Sequence, residues 1–339
     1  MNHILLLCPD EKDATSFYRG WGPFGDLARD PDTQIVLHRA ERVAWSTIAD
    51  KSLVVLQRPC TSSHFEVLKI ARDCQVPVWC DWDDLLWEIP PGNQARLYYV
   101  DPTAVKNGIL KCADMADRVT VSTAAFQHAF PERYHEKIQI IRNRLPVRWR
   151  ICTAPQPPGE RLKLLWRGSQ THAADWIDSA DGILAFSKQH TVEWHLVGIA
   201  PQWLIERLTA LCPVYQRGEI PMEAYFRWLI ADGPRADMMV VPLRDNAFNR
   251  AKSNIAQLEA TFGGMLTVGP KWPEWTTGIE QADRLLYASP QQIESRLARA
   301  AALARNGTGP VVDELQQHFL SVAEVYDTQF RRHVVGGGV

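Results

Sequence analysis

A chain of 339 residues exceeds one ordinary domain and suits two of roughly 150 residues each. Its 46% hydrophobic and 22% charged content is that of a globular protein, and a net charge of −2 excludes a global basic field, so any nucleic-acid partner needs a local patch. The seven cysteines form no C-x-x-C pair and read as reduced thiols of a cytoplasmic protein; the short apolar run Ile4–Cys8 is not expected to act as a signal segment, and no run approaches the ~20 apolar residues of a membrane span.

Short apolar runs alternate with amphipathic stretches, which predicts an α/β protein with parallel sheets. In the first half the expected strands are His3–Cys8, Gln34–His38, Leu53–Leu56, Val76–Cys80, Arg118–Ser122 and Lys137–Ile141. Helices are expected at Phe65–Cys74, Thr103–Ala116 and Ala124–Phe130, the last capped by Thr123. Pro146, Pro155, Pro157, Pro158 and Gly159 then forbid a regular element, which puts a linker at about 146–160. The pattern restarts with strands expected at Leu162–Trp166, Val192–Val197, Val214–Gln216, Met238–Val241, Met265–Val268 and Leu285–Tyr287. Helices are expected between them at Asp175–Lys188, Gln202–Leu211, Met222–Ala231 and Ser253–Phe262, then at Gln291–Arg305. A last helix, Val311–Phe330, has no following strand and is expected to pack back across the hinge, followed by a disordered Gly336-Gly337-Gly338 tail. The expected division is 1–150, 151–310 and a C-terminal helix and tail at 311–339.

In open parallel sheets ligands meet the carboxyl ends of strands, so the residues just after each run carry the functional reading. The first run of the second half opens into Trp166-Arg167-Gly168-Ser169-Gln170-Thr171-His172. A glycine there lets backbone approach a ligand, a helix N-terminus offers free N–H groups to an anion, and Arg167 adds a forked cation suited to a diphosphate. The same residues also read as a tight turn capped by Ser169 or Thr171. Further on, Val241–Asn249 and Arg250-Ala251-Lys252-Ser253-Asn254 lead into a helix that carries Glu259 two turns in. A carboxylate at that place can accept both hydroxyls of a ribose, or sit on the surface of an amphipathic helix.

These segments resemble the retaining GT-B glycosyltransferases of family 4 and its neighbours, the phage-type enzymes included. Leu164–Trp176 is similar to their "W-x-G-S-x-x-H-x-x-D" opening, and Lys252–Val268 (KSNIAQLEATFGGMLTV) to their "K-x-x-x-x-x-x-E-A-x-x-x-G-x-P-V" segment. Gly218–Ala231 with Pro221 resembles the segment near the base, and Asn143-x-Leu-Pro the hinge. The resemblance implies two Rossmann-like, doubly wound domains facing an interdomain cleft. It also implies transfer of a sugar from a nucleotide-sugar donor, a UDP-sugar, with retention and with no metal or other cofactor. Arg167 and Lys252 would hold the diphosphate and Glu259 the ribose, with Gly168, Ser169, His172, Ser253 and Asn254 completing the donor site. The family's second glutamate, eight positions before the ribose glutamate, is replaced by Ala251, so either Asp245, Asn246 or Asn249 would hold the transferred sugar or the donor differs.

In the first half, Cys80-Asp81-Trp82-Asp83-Asp84 follows a strand. Asp81, Asp83 and Asp84 read either as a carboxylate cluster receiving the acceptor hydroxyl, with at least one raised pKa suited to a general base, or as the oxygen ligands of a divalent metal. The second alternative would make the protein a metal-dependent GT-A-like or phosphoryl-transfer enzyme centred on Asp81 and Asp83; the replaced glutamate leaves a third, a non-catalytic scaffold. Tyr18-Arg19 resembles the family's Y-R element, which implies an acceptor loop over the cleft; the same residues also read as a capped helix start with aromatic packing. Four arginines and a tryptophan within Arg142–Arg150 read as a solvated hinge or as a DNA-binding patch, in which Arg144 and Arg148 would touch the acceptor. The acceptor is then a glycan or a hydroxymethylated DNA base.

Overall fold

The computed structural model describes residues 2–9, 13–38, 43–157 and 159–335; Pro158 of the expected linker and the Gly336-Gly337-Gly338 tail lie outside the described residues. Six strands, β1 (Asn2–Leu7), β2 (Thr33–His38), β3 (Leu53–Gln57), β4 (Val78–Trp82), β5 (Arg118–Val121) and β6 (Ile138–Ile140), form one sheet in the order β2-β1-β3-β4-β5-β6. Five more, β7 (Leu162–Gly168), β8 (Val192–Gly198), β9 (Val214–Arg217), β10 (Met238–Val240) and β11 (Leu266–Val268), form a second in the order β11-β10-β7-β8-β9. Every pairing is parallel. Runs such as Leu53–Gln57 and Val78–Trp82 are buried along their whole length, as strands covered by helices on both faces must be.

Each sheet starts in its middle and grows outward both ways, which creates a switch point between β1 and β3 and another between β7 and β10. The expected strand at Leu285–Tyr287 does not form. Its residues are apolar because they are buried in the second core, and Tyr287 makes one isolated bridge to Pro270. The expected Asp175–Lys188 helix is two pieces, a 3₁₀ segment Gln170–Trp176 and an α-helix Ala180–Gln189. Thr123 caps its helix by accepting from the Phe126 N–H.

The helix Gly309–Val335 spans both lobes. Val311, Val312, Leu315 and Phe319 join the core of the second sheet, while Phe330 and Val334 pack with Phe24 and Trp79 of the first. No helix among the described residues is long and apolar enough to cross a membrane.

The lobes also exchange side chains. Phe17 and Tyr18, on a π-helical segment Ser16–Trp21, belong to the core cluster of the second lobe, where Phe17 stacks on Phe226. In return, Phe248 and Ala251 belong to the core cluster of the first lobe, and Thr123 donates to the Ala251 carbonyl at 2.8 Å.

Candidate active site

The two switch points face one another across a cleft that encloses about 820 Å³ when its open mouth is counted. Trp166 and Arg167 at the end of β7, and Val241, Pro242 and Leu243 after β10, line one wall; Lys252, Ser253, Ile255 and Ala256 lie at the start of the helix Ile255–Phe262. Ala14, Thr15, Tyr18, Asp83, Asp84 and Asn143 form the other wall. The close approach of β7 and β8 depends on glycine: Gly198 adopts φ +100°, and a Cβ there would stand 1.9 Å from the Gly168 carbonyl oxygen.

Asp84 sits at the centre of the acidic segment's chemistry. β4 ends at Trp82 and the chain turns, so Asp83 and Asp84 both reach Arg58, at 2.6 to 2.8 Å. Lys252 reaches across from the other lobe to the free Asp84 oxygen at 3.0 Å. Burial works to raise the Asp84 carboxyl, but Lys252 and then Arg58 outweigh it and hold it below its usual value. The expected raised carboxyl is thus corrected for Asp84, because cations, not like charges, dominate its surroundings. Asp81 is not part of the cleft wall: it is buried, forked by Arg19, and accepts from Thr120. Asp81 and Asp83 therefore hold different guanidinium groups and do not converge as a pair. Arg19 is likewise a buried partner of Asp81 and of the Ile141 carbonyl, not an exposed acceptor contact.

Glu259 is fully buried and completely engaged. Arg167 binds it through two parallel N–H···O bonds of 2.7 and 2.8 Å, Tyr225 donates to it at 2.9 Å, and Tyr18 donates from the opposite lobe. Burial would lower the Arg167 pKa, but the Glu259 carboxylate outweighs it and raises it, while burial and that same carboxylate push both tyrosines well up. Glu259 anchors Arg167 in this state, and its oxygens do not face open space as a ribose contact requires.

The remaining expected residues divide. His172 and Ser253 line the cleft, and Ser253 accepts from Asn143 at 2.7 Å. Ser169 pairs with Thr171, Asn254 donates to Gln257 and faces a second cavity behind the hinge, and Asn246 caps the turn Ala247–Arg250. Asn249 is buried on Asp175 and the Arg244 carbonyl, and Asp245 pairs with Arg250. Arg144 and Arg148 do not line the cleft. Arg144 is buried on Asp327, which also takes Arg150, and Arg148 pairs with the exposed Glu223. Arg142 pairs with Glu274, so every arginine of the stretch has a carboxylate partner within the protein.

Sequence reasoning missed Arg58, Asp175 and Tyr225. Arg58 stands at the carboxyl end of β3, where the strand-end rule applied, and Asp175 lies one turn after His172 in the quoted motif. Tyr225 lies in the quoted Gly218–Ala231 segment, but an aromatic on an amphipathic stretch reads as core.

No protein-family model matches the sequence, and no curated protein matches it. Solved structures do. A lipopolysaccharide outer core galactosyltransferase, WaaB, in its apo form superposes with a TM-score of 0.62 at 9% identity, over 99% of each chain. Anabaena HepE in complex with UDP gives 0.63 at 12% identity, over 99% of this chain and 100% of that one. An alpha-glucosyltransferase in complex with UDP and a 13-mer DNA containing an HMU base gives 0.60 at 10% identity, over 94% of this chain and 93% of that one. The chain has the GT-B fold of two facing Rossmann-like lobes.

Proposed function

We propose that this protein is a glycosyltransferase that moves a sugar from a UDP-sugar to a hydroxyl acceptor with retention of configuration. The observation that carries the reading is the convergence of Arg167, Lys252 and the start of the helix Ile255–Phe262 on one interlobe cleft, opposite Asp84 of the other lobe. A diphosphate entering there is met by two cations and by free backbone amides, which stabilise the charge that grows as the glycosidic C–O bond breaks. Its charge competes for Lys252 and releases one Asp84 oxygen, which then accepts a hydrogen bond from a second hydroxyl of the acceptor and orients it, leaving the attacking hydroxyl's proton free to point at the phosphate. The acceptor oxygen bonds the anomeric carbon, and its proton passes to the departing phosphate oxygen. Arg167 and Lys252 supply the positive charge, so no step in this reading calls for a metal.

The UDP bound to HepE and to the alpha-glucosyltransferase supports the donor class. The DNA in the latter complex makes a hydroxymethylated base one acceptor of the right chemistry, beside a glycan hydroxyl. The internal pairing of Arg142, Arg144, Arg148 and Arg150 removes the sequence argument that favoured DNA. The test is UDP binding together with sugar release from UDP-sugars, in the wild type and in Arg167→Ala and Lys252→Ala. Each substitution is expected to lower turnover about 10²–10³-fold. Full activity in both variants would sink the site assignment, and UDP binding with no turnover against any acceptor would mark a non-catalytic scaffold.

A further inference from the structure

A sugar held in this cleft presents hydroxyls that need acceptors, yet the nucleotide-facing wall carries the cations Arg167 and Lys252. The loop expected to supply acceptors points elsewhere. Ala251 is sealed in the core of the first lobe, and Asn249, 1% exposed, donates at 2.7 Å to Oδ1 of Asp175. Oδ1 also takes the Arg244 N–H, at 3.3 Å. Oδ2 of Asp175 meets Nδ1 of His172 at 2.9 Å, and the His172 ring lines the cleft near Asp84.

A carboxylate only accepts, so this contact places a ring proton on Nδ1 and leaves Nε2 of the neutral ring with its lone pair. Among the described residues no hydrogen bond is made to that nitrogen. We propose that Asp175 and Asn249 are positioning residues that hold His172 in the Nδ1–H tautomer, so that Nε2 accepts a hydrogen bond from a hydroxyl of the transferred sugar. An imidazole anchored by a buried carboxylate thus does the work expected of the loop. The donor sugar is thereby narrowed to one with a free hydroxyl at the carbon facing His172, not one deoxygenated or acylated there. This inference rests on the donor reading above.

The decisive variant is Asp175→Asn, which keeps size but turns an amide N–H towards Nδ1, driving the ring proton to Nε2 and converting the acceptor into a donor. Nitrogen NMR of the His172 ring, UDP affinity and donor kcat/KM are measured side by side. The expected result is an Nδ1-protonated ring in the wild type and an Nε2-protonated ring in the variant. Donor kcat/KM should fall about 10–100-fold in the variant, with UDP affinity held within about two-fold. His172→Gln, whose amide oxygen still accepts, should retain more activity than His172→Leu. An Nε2-protonated ring in the wild type, or Asp175→Asn turnover equal to wild type, overturns the inference; so does a loss of UDP affinity that matches the loss of turnover. Wild-type protein that binds no UDP sinks the donor reading instead, and the tautomer measurement, which needs no turnover, keeps the two failures apart.

Discussion

Glu259 and Asp84 stand where the lobes meet, one from each lobe, and each is held by a cation. Glu259 has no exposure and three donors, two of them tyrosines, and it belongs to the packed interior. The Asp84 side chain keeps 20% exposure on the cleft wall, and its partners are an arginine of its own lobe and a lysine of the other. The contrast separates two uses of a carboxylate. Sealed with its partners, it fixes the position of a cation on the cleft wall; left at a surface, it can exchange its cation for a ligand.

The sharpest way to break the contrast is to remove each carboxylate in turn. Glu259→Ala takes the shared acceptor from Arg167 and from the buried hydroxyls of Tyr18 and Tyr225, and chemical denaturation should show a loss of about 3–5 kcal/mol. Asp84→Ala leaves Lys252 partly exposed and Arg58 still paired with Asp83, so stability should change by about 1 kcal/mol or less, while sugar transfer falls roughly 10²-fold as the acceptor loses its orientation. Equal stability losses in the two variants would show that the carboxylates are not differently employed.

A third carboxylate extends the comparison behind the hinge. Glu274 is buried, and burial, only partly offset by Arg142, raises its pKa to about 7. The folded protein therefore holds this proton more tightly than the unfolded chain, so its stabilising effect is full at acid pH and is lost as pH rises from the ordinary carboxylate range through about 7. Glu274→Gln should remove roughly 2–3 kcal/mol of the decline in stability between pH 5 and pH 8, read from denaturation midpoints at the two values. A smaller loss than that of Glu259→Ala is expected from Tyr225→Phe, which deletes one hydrogen bond to Glu259 and keeps the ring. A loss of about 1.5–3 kcal/mol is expected, with Arg167 still forked; no loss would mean that Arg167 alone satisfies the buried anion.

Much of the fold was legible because parallel strands covered on both faces appear as uninterrupted apolar runs, and eleven of the twelve expected runs coincide with strands. The twelfth, Leu285–Tyr287, shows the limit of that signal, since a buried loop edge is as apolar as a strand. In the site, the placing of Trp166, Arg167, His172, Lys252 and Ser253 at the cleft was legible because strand-end chemistry is local, whereas the burial of Glu259 beneath Arg167 was not. The roles of Arg144, Arg148 and Arg19 were not, because a run of charges does not reveal that its partners lie on a helix or strand tens to hundreds of residues away.

What the sequence by itself determined is two β/α halves, the second with a glycine and cations at its strand ends and the first with an acidic segment at one of its own, since periodicity and strand-end chemistry are properties of neighbouring residues. Tertiary structure alone decided how the halves are joined. It drew Phe17 and Tyr18 into one lobe and Phe248 and Ala251 into the other, sealed Glu259 beneath Arg167, and set Lys252 against Asp84 across 168 positions of sequence. Burial and charge pairing are set by whatever the fold brings within a few ångströms, and separation along the chain carries no record of that distance.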